Sequence, residues 1–320
     1  MKKLFSKTNL AWLLTIIVSF AVITALIELK VINRVYQTTL ITIAINMILA
    51  VSLNLIIGVC GQFSLGHAGF MCIGAYCSAI MILQMGGLPG LFVGATIGII
   101  ISSIVALIVA IPTLRLRGDY LAIATLGFGE IIRIIVMNLE ITNGAAGLSI
   151  PKVVTWPLVF GALVLCTIVI LNFGLSAPGR ACISIREDEI ASEAMGVNTT
   201  KYKVLAFVIG AIIASIGGAL YAGNFYVITP SMFTYNKSID ILVIVVFGGM
   251  GSFTGSYISA IVVGILNTVL QNFADIRMII YGLSLVLIMI FRPQGLLGTK
   301  EFTYSKFLKS KDKEVISWVY

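Results

Sequence analysis

From Val35 to Leu114 the chain carries no Asp, Glu, Lys or Arg. No water-facing surface can be built from such a stretch, because a soluble domain carries roughly 25% charged residues and this run is several helices long. About 20 apolar residues cross a bilayer, and the run contains that length several times over. The whole chain repeats the pattern: of its 320 residues, 59% are hydrophobic and 11% charged. The surroundings of most side chains are therefore lipid or other spans. The net charge of +8 does not point to nucleic acid, since the basic residues sit mainly in short loops and tails, where membrane orientation places them.

Hydropathy predicts an all-α polytopic membrane protein with about ten transmembrane helices, some short or broken. They fall near 10–28, 36–58, 69–85, 91–114, 119–138, 157–175, 204–222, 238–250, 256–271 and 278–291. Turn residues mark the breaks, including Gly86-Gly87 with Pro89, Pro112, Asn143-Gly144, Pro178-Gly179 and Pro230. The first apolar segment is too long for a signal-peptide core and has no small-residue cleavage site after it. It is read as a retained span. With ten spans, four basic segments share one side: the N-terminus, Arg115/Arg117, Arg180 to Lys203, and Arg292 to Lys313. That side holds 15 of the 21 Lys and Arg, against Lys30, Arg34, Lys152, Lys237 and Arg277 opposite and Arg133 within a span. The positive-inside rule then places both termini in the cytoplasm. Residues 1–298 form one membrane domain, and 299–320 a polar, basic cytoplasmic tail.

Three spans carry small residues at every fourth position. One ridge is Gly94, Gly98, Ser102, Ala106 and Ala110. Another is Ala211, Ser215, Ala219 and Gly223, with Ala214, Gly218 and Ala222 beside it. The third is Ser252, Ser256, Ala260, Gly264 and Thr268. In lipid, helices associate by close backbone approach, which such ridges permit. Two glycine-rich breaks, Gly58 to Gly69 and Gly248 to Gly255, share the pattern Gly-x-Phe-Ser/Thr. They are either broken helices whose freed backbone lines a pathway or two tight turns.

Chemistry is sparse. His67 is the only histidine, so zinc-protease spacing is impossible, and "GQFSLG" lacks the spacing of a nucleophile elbow. The five cysteines, Cys60, Cys72, Cys77, Cys166 and Cys182, form no C-x-x-C pair, so neither a metal site nor a disulfide framework is expected. No phosphate-binding loop is present. These absences argue against an enzyme and predict no cofactor. Glu130 and Arg133, three apart within a span, share a helix face and are costly there unless paired or wetted. They either border a hydrated pathway or neutralise one another between helices. Asn54, Gln62, His67 and Asn138 are further pathway candidates, with Asn46, Asn267 and Gln271 weaker ones; interhelical hydrogen bonding is the alternative for each.

The densest polar stretch, "GRACISIREDEIASEAMG" at 179–196, lies between spans six and seven on the cytoplasmic side. Ile185, Glu189 and Glu193, with Ile190 and Ala194, fit one helix ended by Gly196. A short helix with apolar and charged faces suits a groove on another protein better than an ordinary loop; its acidic residues argue against anionic lipid.

Here the residues resemble a known family. "LNLIIGVCGQFSLGHAGFMCIGAY", "RLRGDYLAIATLGFGEIIRIIVMN" with "TNGAAGL", the stretch from Gly179 to Ala222, and "GGMGSFTGSYISA" are similar to the permease subunits of ABC importers for branched-chain amino acids, of the LivM type. The resemblance covers about residues 36–298. It implies a type II ABC importer-like permease in the bacterial inner membrane, paired with a second, LivH-like permease. It also implies two cytoplasmic ATPases and a periplasmic or lipid-anchored binding protein. Residues 176–203 would be the coupling loop, with Gly179, Arg180, Arg186, Glu187, Asp188, Glu189, Ala191 and Gly196 as ATPase-coupling residues. The general importer motif E-A-A-x-x-x-G is only partly kept, because Ile190 stands where its Glu would be. Related permeases carry urea, short amides or other amino acids, and an ion-coupled carrier is the rival from another class.

Overall fold

The computed structural model describes residues 7–30, 33–113, 116 and 118–269, with a few positions between 279 and 298. The elements in chain order are α1 (Lys7–Glu28), α2 (Arg34–Asn54) running into a π turn (Leu55–Val59), α3 (His67–Met85), α4 (Gly87–Thr113) and α5 (Asp119–Asn138). Then come β1 (Leu148–Ser149), α6 (Trp156–Leu175), α7 (Ala177–Glu187), α8 (Glu189–Ala194), α9 (Thr199–Asn224), β2 (Val227–Ile228), α10 (Tyr235–Gly248) and α11 (Phe253–Val269). Among the described residues six helices are long and apolar enough to cross a membrane: those at 36–59, 67–85, 87–113, 119–138, 156–175 and 199–224. Phe253–Val269 and the apolar part of α1, Leu14–Glu28, are shorter. The molecule is a multi-pass α-helical membrane protein. The tenth expected span, Arg115, Arg117, Gln271 and the tail 299–320 lie wholly or mostly outside the described residues.

The bundle is organised around α2, α3, α4 and α9, and the small-residue ridges explain why. Gly94 lies against the Ser78 backbone of α3, and Gly98 approaches Gly74, where an added Cβ would sit 3.1 Å from its Cα. Gly74 in turn lies on the Ser215 carbonyl of α9, and Gly218 on the Met71 carbonyl of α3; a Cβ at either would overlap backbone. The α4 and α9 ridges are buried along their whole length. In the third ridge Gly264 receives Ile43 of α2, whereas Thr268 is only half-buried. Backbone-to-backbone packing of this kind is what lets helices associate without a hydrophobic driving force.

Two departures from the helical expectation matter. A two-stranded antiparallel bridge pairs Leu148 with Ile228 and Ser149 with Val227, closing the end of the bundle reached by α5 and α9. The expected eighth span is also displaced. It begins at Tyr235 rather than 238 and has 14 residues, about 21 Å of helix against roughly 30 Å of hydrocarbon.

Candidate functional site

The short helix α10 explains the charged pair within α5. The Glu130 carboxylate, midway along α5, accepts the Tyr235 backbone N–H at 2.8 Å and the Arg133 Nε–H at 2.7 Å. Tyr235 opens α10, so Glu130 satisfies one of the orphan N–H groups at a helix start and meets the positive end of its dipole. Thus α10 starts at mid-bundle depth. Lys237, expected in an external loop, lies inside instead: its Nζ donates to Asn46 Oδ1 of α2 at 3.1 Å and stands 5.6 Å from the centre of the Tyr221 ring. The displacement follows from the early start of α10, which carries Lys237 inward with it.

The first glycine-rich break is an irregular run. Residues 61–66 have no helical structure, and Gln62, Ser64 and Gly66 are buried while Phe63 faces out. Irregular backbone at this depth is tolerated only when protein or a wet cavity surrounds it, and here α5 surrounds it. The Leu65 N–H donates to Thr125 Oγ1 at 3.0 Å, and Gly66 lies against the Thr125 carbonyl. At its end the Ala68 N–H donates to Ser238 Oγ at 2.9 Å, so α3, like α10, begins within the bundle. His67 sits there fully buried, its Nε2 3.2 Å from Ser52 Oγ. The Ser52 hydroxyl has one proton, committed to the Gly210 carbonyl at 2.7 Å, so Nε2 carries the hydrogen and donates. His67 fastens the start of α3 to α2, which in turn bonds α9.

The second break is a tight turn, with Gly249 and Gly251 at φ +111° and +95°, values that L side chains rarely adopt. The second break follows the tight-turn reading, whereas the first is an irregular segment packed against α5. The structure also brings the breaks together. Asn54, at the end of α2, donates through Nδ2 to the Ser252 carbonyl (2.9 Å) and Ser256 Oγ (3.0 Å), and its Oδ1 accepts the Gly251 N–H at 2.8 Å. Gly58 packs so closely on Gly251 that a Cβ would sit 2.8 Å from its Cα.

The polar insertion departs from the single helix expected. Asp188 interrupts it: its carboxylate accepts the N–H groups of Ile190 and Ala191 at 2.9 and 3.0 Å, the side-chain cap preferred at a helix start. The result is α7, a break, and α8, which gives way to Gly196 at φ +85°. The eight candidate coupling residues divide by environment. Gly179 faces inward, against the Phe173 and Gly174 carbonyls at the end of α6. Arg186 also points inward, its Nη1 donating to the Gly58 carbonyl at 2.7 Å while Nη2 holds Glu187 at 2.7 Å. Glu189 pairs with Lys203 of α9 at 2.6 Å, and Arg180 donates to the Leu175 carbonyl at 2.9 Å. Glu187, Asp188, Ala191 and Gly196 are exposed. Beside them stand Ile190 at 69% and Met195 at 85% exposure, two apolar side chains offered to solvent on a charged element.

Among the other candidates, Asn138 donates to its own helix at Ile134 (2.7 Å). Gln62 is buried, and among the described residues neither end of its amide has a hydrogen-bond partner. Ser52, Thr125, Ser238 and the Cys60–Cys182 pair were not singled out by sequence, since a lone hydroxyl or thiol in an apolar helix carries no periodic signal. Cys60 lies beside Cys182, and that neighbour together with burial pushes its thiol well above the usual range.

A bundle of helices long and apolar enough to cross a membrane, packed through small-residue ridges, defines a multi-pass membrane protein. Residues 35–291 match the family described as branched-chain amino acid transport system / permease component, and the chain belongs to it. It is 36% identical over 289 residues to the high-affinity branched-chain amino acid transport system permease protein LivM of Salmonella typhimurium, covering 79% of this chain and 68% of that one. The LivM of Escherichia coli K12 gives the same figures. The LivH permease protein of E. coli K12 is 29% identical over 161 residues, 50% of this chain and 51% of that one. No solved structure matches. The chain is a LivM-type permease subunit of an ABC importer.

Proposed function

We propose that the chain is one half of the translocation pathway of an ATP-driven importer for branched-chain amino acids, the cargo named for its LivM and LivH relatives. In this reading it has ten spans in a type II importer-like arrangement, lies in the bacterial inner membrane with both termini inside, and pairs with a LivH-like permease. A binding protein delivers the cargo on the far side. Residues 176–203 dock two-ATPase machinery that supplies the energy, since the chain itself has no phosphate-binding loop.

The observation that carries the reading is the anchored but outward-facing α8. Ile190 and Met195 are exposed beside the acidic Glu187, Asp188 and Glu193, while the Glu189–Lys203 pair fixes the element to α9. A rigid element presenting an apolar pair to a partner can pass domain motion to the spans behind it. Because Glu189 serves as an anchor, the docking test falls on the other residues. Ile190→Asp with Met195→Asp is expected to leave membrane insertion intact and to abolish co-purification of the ATPases encoded with the permease. ATPase recovery equal to that of the native chain would reject the docking role. Uptake of radiolabelled leucine by proteoliposomes that persists without the ATPases would reject the ATP-driven reading.

A further inference from the structure

Of the eight coupling residues, Arg186 reaches into the bundle through Nη1 while Nη2 holds the exposed Glu187, and what Nη1 touches is specific. Its Nη1 donates to the carbonyl of Gly58 at 2.7 Å. The neighbouring carbonyls of the π turn have main-chain partners: the N–H groups of Cys60, Gly61 and Gln62 donate to Leu55, Ile57 and Ile56. Gly58 therefore offers its oxygen outward from the turn. The stem of Arg186 lies along Gly61, where an added Cβ would be 2.9 Å from Cγ and 3.3 Å from Cα. At Gly251 in the second break an added Cβ would be 3.4 Å from the same Nη1. Asn54 closes the group from the membrane side by binding Gly251, Ser252 and Ser256. Both breaks and α7 are thus gathered on one guanidinium. One turn earlier on the same face of α7, Cys182 lies beside Cys60.

We infer that Arg186 is a positioning residue that joins α7 to the two glycine-rich breaks, so that displacement of α7–α8 is delivered to the ends of α2 and α10 and to the irregular segment 61–66, and not only to α6 and α9. This rests on the proposed docking of the 176–203 loop. The physical argument is directional. A charge-assisted bond to a carbonyl at a helix C-terminus is strong and fixed in geometry. The glycines that flank it are the backbone positions that can rotate with least steric cost. Gln62, whose amide has no partner among the described residues, follows directly on Gly61, so any rotation of the segment moves that amide first. The clasp is a stiff lever set on flexible backbone.

The test uses the assembled transporter in proteoliposomes and reads amino acid uptake and ATP hydrolysis together. In Arg186→Gln the ATPases are expected to co-purify and hydrolyse ATP, while uptake per ATP falls by about tenfold, the effect of losing one charge-assisted bond. Arg186→Lys, which restores a cation and one donor, is expected to recover part of that ratio. Unchanged uptake per ATP in Arg186→Gln overturns the inference. Loss of co-purification in Arg186→Gln also overturns it, since it would show Arg186 to be a docking residue. Failure of the docking reading itself shows separately, as ATPase binding that survives Ile190→Asp with Met195→Asp. A second measurement does not depend on the variant's transport. In a background with Cys72, Cys77 and Cys166 changed to Ser, copper-phenanthroline cross-linking of Cys60 to Cys182 reports the distance between break and lever. The native pair is expected to cross-link at the same rate with and without ATP and vanadate, because the two move together. In Arg186→Gln the rate becomes nucleotide-dependent. A nucleotide-dependent rate with Arg186 intact would sink the idea of a single moving unit.

Discussion

Replacing Asn54 by Leu tests whether the two breaks are held as one assembly. The substitution keeps the branched four-atom skeleton of the side chain and removes three hydrogen bonds: two donated to Ser252 and Ser256 and one accepted from the Gly251 N–H. Asn54 is fully buried, so water does not replace them. Interhelical hydrogen bonds in membranes average about 0.6 kcal/mol, with a maximum near 1.7, so three give about 2 kcal/mol and at most about 5. The Ser252 carbonyl keeps the N–H and hydroxyl of Ser256 as donors, so the Gly251 N–H bears most of the loss, and the lower figure is expected. That corresponds to roughly a 30-fold change in the folded-to-unfolded ratio. The assay is unfolding of the purified permease in mixed micelles by SDS titration, followed by tryptophan fluorescence. Ser256→Ala, which removes one of the three bonds and the hydroxyl's own bond to the Ser252 carbonyl but leaves the Gly251 N–H paired, should cost less. A loss below about 0.5 kcal/mol for Asn54→Leu, or an equal loss for Ser256→Ala, would refute the claim that Asn54 binds the breaks together.

Two further outcomes are expected. Gly218→Leu places carbon against the Met71 carbonyl, where even a Cβ overlaps backbone; overpacking costs of about 1–3 kcal/mol or more predict loss of the monodisperse peak in detergent chromatography, whereas Gly161→Leu, with open space around it, should be tolerated. Glu130→Gln keeps an acceptor for the Tyr235 N–H but gives up the charge opposite Arg133, so uptake should fall less than in Glu130→Leu, which removes both; equal uptake in the two variants would show that the cap on α10 is unimportant.

The sequence displayed the membrane class and the interior seams, because both are periodic one-dimensional signals. An uncharged run as long as 35–114 has no other stable home, and Gly94, Gly98, Gly74 and Gly218 meet backbone because nothing larger fits. The Glu130–Arg133 pair was visible from its spacing of three. Their third partner was not, because Tyr235 is remote along the chain and contributes only a backbone N–H, which leaves no mark in the side-chain pattern. The single coupling helix was misread for a local reason: Asp188 is a better cap than an interior helical residue, and the charge spacing that suggested continuity is equally served by two short helices.

What the sequence determined by itself is therefore the solvent of this protein and the identity of its close-packed faces, since the hydrophobic effect and steric size act on each residue wherever it lies. The tertiary structure alone decided that Asn54 and Arg186 converge on Gly58 and Gly251, that Lys237 points into the bundle, and that two helices begin at mid-depth. Those facts rest on hydrogen bonds between groups more than a hundred residues apart, and a directional bond of that kind exists only once the fold has brought donor and acceptor within about 3 Å.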